Sequence, residues 1–295
     1  MINLLPLLGK YWDLFIDGND QKRIDSQTPP ENVDVHSDIS YIDDGKWQHL
    51  LDVYTPAGNT ESLPIIVDIH GGGWMYGTKL INKYYNMTLA QKGYVVFSIN
   101  YTLIPDCDIA AQLQDCMAAL AWIKKNAKSY HGNLRELYIT GDSAGGFLAA
   151  YVTMLNNSDV LCEAFDTVSP KLNIRGLGLT CPVCYLDVKG TVGLYTRQML
   201  IGNYEASKYH RLVNLDRALR YSSLPPTYLI TCGGDLPAKK ATFKAYEDLE
   251  DAGVKCKLKY LPDKKLQHVF CITDPFAPIS QEVNEDMLKY FKANK

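Results

Sequence analysis

The stretch Tyr138-Ile139-Thr140-Gly141-Asp142-Ser143-Ala144-Gly145-Gly146-Phe147-Leu148 constrains this chain more than any other. It reads as a strand, a tight corner and the start of a helix. The corner holds Gly-x-Ser-x-Gly, with glycine where a side chain would clash as the chain reverses. Such a corner exposes the Ser143 hydroxyl and turns the Ala144 N–H, at the opening of the helix, toward the same space. One nucleophile and one oxyanion donor are thereby brought together. Gly-Asp-Ser-Ala-Gly-Gly also matches the serine segment of trypsin-like proteases. Those chains are all-β and place histidine and aspartate before the serine. Here helices alternate with strands, and the best acid and base come after Ser143.

Two runs fix the fold class. Pro64-Ile65-Ile66-Val67-Asp68-Ile69-His70 and Tyr94-Val95-Val96-Phe97-Ser98-Ile99-Asn100 are almost continuously apolar. Strands without alternation are buried on both faces, as in a mostly parallel sheet covered by helices. Val33–Ile42 and His49–Tyr54 alternate partially around Asp43-Asp44-Gly45, which predicts a hairpin. Ile174–Cys181, Thr227–Cys232 and Val254–Leu261 read as further strands. Helical periodicity covers about Ile109–Tyr130, Ala238–Asp251 and Ile279–Lys292, with Leu113, Met117, Leu120 and Ile123 on one stripe of the first.

The chain's 295 residues, 46% hydrophobic, suit one large α/β domain with an appendage. A net charge of −3 supplies no basic field for nucleic acid. The lysines at 255, 257 and 259 alternate along a strand and read as a solvated face. No run is long and apolar enough to span a bilayer. Met1–Ile16 lacks the basic start and cleavage site of a signal peptide and reads as an amphipathic helix packed on the body. Eight cysteines without an export signal fit a reduced, cytoplasmic protein. Cys181-Pro182-Val183-Cys184 is a lone CxxC; a zinc site of that kind needs a second ligand pair, so no metal site is expected.

Residues 1–32 and an insertion at about 183–224, rich in Tyr, Leu and Arg, break the βα rhythm. An insertion between core strands stands over their carboxyl ends, where sites of open α/β sheets lie, so both segments are read as a cap on a catalytic domain of residues 33–295.

His70-Gly71-Gly72-Gly73-Trp74 follows the first buried strand. The N–H groups of Gly72 and Gly73 can aim at the space that Ala144 N–H faces, making an oxyanion hole. His70 precedes the turn and reads as a loop organiser. Asp235 lies in a loop after Thr227–Cys232, and His268 follows Val254–Leu261. The order Ser143, Asp235, His268 is that of a nucleophile-elbow triad, with Asp263 a rival for the acid.

His-Gly-Gly-Gly-Trp, Gly-Asp-Ser-Ala-Gly-Gly and the late Asp and His resemble the hormone-sensitive-lipase-like family of α/β-hydrolase carboxylesterases, from about residue 49 onward. Asn100-Tyr101-Thr102-Leu103-Ile104-Pro105-Asp106 is similar to that family's Asp-Tyr-Arg-Leu-Ala-Pro-Glu segment. The resemblance implies an eight-stranded mixed sheet, a helical cap, no cofactor, and hydrolysis of esters with short or medium acyl chains. It assigns catalysis to Ser143, Asp235 and His268, and oxyanion binding to Gly72, Gly73 and Ala144. The acid departs from the family's Asp-Pro-Leu-x-Asp, reading Asp235-Leu236-Pro237-Ala238-Lys239. Two rival readings are an arylformamidase-like amide hydrolase, which shares a His-Gly-Gly-x-Trp stretch, and an inactive small-ligand binder of the same fold. The edge strand Val254–Leu261 offers a pairing surface for a homodimer, although its lysines oppose that.

Overall fold

The computed structural model describes residues 18–187, 196 and 206–294. The predicted amphipathic helix at Met1–Ile16 and most of the middle of the 183–224 insertion lie outside the described residues. The chain opens with α1 (Gly18–Ser26), followed by β1 (Val33–Ser40), β2 (Leu50–Pro56), β3 (Leu63–Ile69), α2 (Lys83–Gln91) and β4 (Val95–Ile99). Next come α3 (Ile109–Asn126), β5 (Gly132–Asp142), α4 (Ser143–Asn157), α5 (Asp159–Ala164) and β6 (Ile174–Thr180). The last third holds α6 (Leu215–Ala218), β7 (Thr227–Cys232), α7 (Lys239–Asp251), β8 (Cys256–Leu261), α8 (Phe270–Thr273) and α9 (Pro278–Ala293).

The strands form one eight-stranded sheet in the order β1-β2-β4-β3-β5-β6-β7-β8. β1 and β2 make the expected antiparallel hairpin, and β2 runs antiparallel to β4; every later pairing is parallel. The two apolar runs are β3 and β4, buried on both faces as their composition requires. Ile65, Val67, Ile69, Val95, Phe97 and Ile99 pack on one face with Leu113, Leu120, Phe147 and Tyr151. Ile66 and Val96 point to the other face and join Tyr85, Leu89, Val283, Met287 and Phe291. Helices α3 and α4 therefore cover one face, and α2 and α9 the other.

The topology also selects the place of the site. From β3 the chain steps outward to β4, then returns across β3 to β5. β3 and β5 thus diverge at a switch point, and the crevice beyond their carboxyl ends is where open α/β sheets bind ligands. Their register pairs Ile69 with Gly141, so the glycine loop after β3 and the serine corner after β5 leave the sheet side by side.

Three local readings are refined. The helix predicted to Tyr130 is α-helical to Asn126 and then tightens into a 3-10 turn that ends at His131, with φ +61°. Its start is fixed by Asp108, whose carboxylate accepts the Ala111 N–H at 2.9 Å. Lys255 and Lys257 are exposed, as a solvated face requires, while the third lysine is partly buried. Lys259 is paired with Glu282 (3.1 Å) and Asp286 (2.8 Å) of α9, and Lys257 lies over the Tyr228 ring. Helix α2 has no amphipathic signature because its inward residues include Asn86, with Asn82 just before it, and these face buried carboxylates rather than apolar core.

Candidate active site

Ser143 sits at the β5–α4 corner with φ +51°, a strained conformation for a residue with a side chain. Gly145 makes the corner feasible: a Cβ there would lie 2.0 Å from the Ile69 carbonyl oxygen and 2.4 Å from that of His70. The serine corner is therefore pressed against the end of β3. Phe147 reinforces this, stacked on Tyr151 at 4.0 Å and edge-on to Trp74 at 5.9 Å, so one aromatic of α4 packs against the glycine loop. Truncating such a buried phenylalanine to alanine costs about 3–5 kcal/mol.

The glycine loop is anchored by its neighbours. His70 is fully buried and stacked on Tyr101 at 4.4 Å. Its Nδ1–H donates to the Gly71 carbonyl at 2.8 Å, and Tyr101 donates its hydroxyl to the His70 carbonyl at 2.9 Å. Burial pushes the His70 pKa down to about 4, so the ring is neutral and organises the loop, as its position in sequence predicts. The turn itself uses φ +107° at Gly72, and the Gly72 carbonyl accepts the N–H groups of Met75 and Tyr76.

Beneath the loop lies a polar network that the sequence reading missed. The buried Asp142 carboxylate accepts the Gly71 N–H at 3.0 Å and the Asn82 amide at 2.9 Å through one oxygen. Asn82 also donates to Asp68 (3.1 Å), which accepts further bonds from Asn86 and Thr140. Burial, then the charge of Asp142, push the Asp68 pKa up to about 7; burial raises that of Asp142 too. The available signal was Asp68 inside an otherwise apolar strand.

The structure brings together the two residues expected to act as acid and base. Asp235 follows β7 and His268 follows β8, with His268 Nδ1 2.7 Å from Asp235 Oδ1. Asp235 is fully buried, and it also accepts from Thr231 Oγ1 at 2.7 Å and from the Ala238 N–H at 3.1 Å. Burial alone would raise its pKa; the hydrogen bond and charge of His268, with the other donors, outweigh that and hold the carboxyl below the ordinary range. Asp263 is exposed and caps the Lys265 N–H instead.

A cavity of about 430 Å³ opens over these residues, lined by Ser143, His268, Gly72, Gly73, Trp74 and Asp142, with Tyr76, Ile81, Val183, Val269 and Ile272 adding mostly apolar surface. Ala144, beside Ser143, is buried at the head of α4, where the first N–H groups of a helix have no intrahelical partner. Helix α1 contributes Asp20 and Arg23 to the wall. Arg23 donates to the carbonyls of Ile81 (2.9 Å) and Thr273 (3.2 Å), and Tyr76 donates its hydroxyl to Asp20 at 3.0 Å. Of the described residues from 183 to 224, Val183 alone lines the cavity. Cys181 was not anticipated at the site. Its Sγ, an Asp235 oxygen and a His268 ring nitrogen lie within 4.8 Å of one another.

The chain is similar to known hydrolases. Residues 51–176 match the BD-FAE family model. A putative alpha/beta hydrolase, R526, of Acanthamoeba polyphaga mimivirus is 25% identical over 272 residues, covering 86% of this chain and 78% of its own length. Esterase LipQ of Mycobacterium tuberculosis is 31% identical over 134 residues, which cover 44% of this chain and 32% of LipQ. Among solved structures, Esterase B from Lactobacillus rhamnosis, in a crystal with a C4-C4 tributyrin phosphonate inhibitor, superposes with a TM-score of 0.93 at 29% identity, covering 98% of this chain and 94% of that one. With the sheet, the serine corner and these relatives in agreement, the chain is an α/β-hydrolase-fold carboxylic ester hydrolase similar to the hormone-sensitive-lipase-like esterases.

Proposed function

We propose that this carboxylic ester hydrolase works through Ser143, His268 and Asp235 on short- to medium-chain esters. Ser143 Oγ attacks the ester carbonyl while His268 Nε2 takes its proton and passes it to the leaving alcohol. Asp235 holds the Nδ1–H tautomer and stabilises the imidazolium that forms. The N–H groups of Gly72, Gly73 and Ala144 receive the developing oxyanion. Water activated by His268 then releases the acid from the acyl-enzyme.

The observation that carries this reading is the 2.7 Å contact between His268 and a buried carboxylate, on two loops that open into the cavity holding Ser143. The cavity volume, near the lower end of the about 300–1,000 Å³ typical of small-molecule sites, supports acyl chains of modest length. The tributyrin phosphonate in the Esterase B crystal supports the same class. Residues 1–32 and 183–224 are proposed as the cap. No helix among the described residues is long and apolar enough to cross a membrane, and all the cysteines are free, which supports a reducing compartment such as the cytoplasm.

The test is a panel of p-nitrophenyl esters from acetate to dodecanoate beside formanilides. Activity peaking at short or medium esters, with fluorophosphonate labelling lost in Ser143→Ala, is the expected result. Preference for formanilides would instead select the amide hydrolase.

A further inference from the structure

Sulfur holds the loop that carries His268 on both sides. Cys232 donates its S–H to the carbonyls of Leu266 (3.1 Å) and Gln267 (3.3 Å), and Val269 donates its N–H to Cys181 Sγ at 3.4 Å. Cys181 is fully buried, has φ +48°, and has no part in the ester reaction. Val269, next to His268, also has positive φ, at +52°. Two residues with side chains are thus strained to set the thiol and the imidazole against Asp235.

The donor set is informative. A thiol, a carboxylate and an imidazole with their ligand atoms within 4.8 Å of one another are the first three corners of a site for a borderline-soft divalent cation. Bonds of about 2.3 Å to sulfur and 2.0–2.2 Å to nitrogen and oxygen put tetrahedral ligand atoms roughly 3.3–3.6 Å apart. The sulfur therefore needs to move by no more than about 1.2 Å toward its partners, and the close His268–Asp235 pair must open slightly. His268 lines the cavity, and Cys181 and Asp235 are buried behind it, so a cation reaches them past the imidazole.

We propose that Cys181, Asp235 and His268 form an inhibitory binding site for zinc or cadmium. The cation takes the Cys181 sulfur as thiolate, and the thiol proton leaves to solvent. It takes Nδ1 of His268, whose remaining proton then resides on Nε2. Asp235 gives up its hydrogen bond to His268 and becomes the third ligand. Nε2 changes from acceptor to donor, so Ser143 keeps its proton. The loss of activity rests on the Ser143–His268 reading above; the binding itself does not.

Metal-stripped protein is titrated with cadmium ions alone, following thiolate-to-cadmium charge-transfer absorbance and p-nitrophenyl butyrate hydrolysis on the same samples. The expected result is a band saturating at one cadmium per chain as hydrolysis is lost, both reversed by a chelator. Cys181→Ser should abolish the band and require on the order of 100-fold more cadmium for inhibition. Cys184→Ser should behave as the parent. Cys181→Ala and Asp235→Asn, each read by cadmium affinity alone, provide independent checks should Cys181→Ser fold poorly. An undiminished band and unchanged inhibition in the Cys181 variants would overturn the site. A Cys181-dependent band with hydrolysis intact would leave the metal site standing and overturn the triad reading instead.

Discussion

The carboxylate of Asp142 accepts the N–H of Gly71 at 3.0 Å, tying the residue before Ser143 to the residue before Gly72 and Gly73. The two glycine motifs are far apart in sequence, yet one buried carboxyl group fixes their separation. The fit is close: a Cβ on Gly71 would fall 2.4 Å from the other Asp142 oxygen. Ser143 and the proposed oxyanion donors Gly72 and Gly73 are thereby positioned as a unit.

Asp142→Ala should therefore act on turnover more than on binding. It leaves the Gly71 N–H without its partner, at a cost of about 1–3 kcal/mol, and lets the loop drift. Displacing one oxyanion donor lowers kcat by about 10²–10³, and we expect a fall toward that range with KM little changed. Asp142→Asn keeps an acceptor in place and should lose much less. Steady-state kinetics with p-nitrophenyl butyrate check both variants; an Ala variant changed only in KM would contradict the positioning role.

The Asp68–Asp142 pair gives stability a definite pH dependence. The Asp68 pKa is raised from 3.8 to about 7, so the folded state binds the proton more tightly than the unfolded chain. Its contribution is most favourable below the unfolded pKa and is lost progressively as pH rises toward about 7. Asp235 has the opposite sign: its lowered pKa makes a contribution present above the unfolded value and lost as pH falls. In Asp68→Asn the melting temperature relative to the parent should climb between pH 5 and pH 8. Calorimetry across that window reads it, and a constant difference would contradict a buried, proton-linked Asp68.

Arg23 fastens α1 to the cavity rim through two carbonyls, one in the turn before α2 and one at the end of α8. Arg23→Ala should release that wall, raise KM for butyrate esters and shift the best substrate toward longer acyl chains. Labelling of Ser143 by a small fluorophosphonate should be retained. The ester panel reports the shift, and an unchanged chain-length profile would remove α1 from substrate selection.

Much of this architecture was legible because the relevant signals are local. Ser143, the glycine loop and the apolar β3 and β4 announce themselves through residue type and spacing within about ten positions. The choice between Asp235 and Asp263 was not legible, since both follow late strands and differ only in where their loops turn. In the fold Asp235 turns inward to contact His268, and Asp263 turns out to accept the Lys265 N–H. Helix α2 was missed because Asn82 and Asn86 stand where apolar residues would mark an inward face. Cys181 looked like part of a motif with Cys184, whereas its relevant neighbours lie more than fifty residues further along the chain.

The central claim is that Asp235 orients His268 for proton transfer from Ser143. The most direct measurement is kcat of Asp235→Asn beside Asp263→Asn, on a substrate hydrolysed well by the parent. An amide at 235 keeps the shape of the side chain but sets the wrong His268 tautomer, so kcat should fall by up to about 10⁴, while Asp263→Asn matches the parent. A critical Asp263 with a dispensable Asp235, or two silent variants beside an inactive Ser143→Ala, would contradict the account.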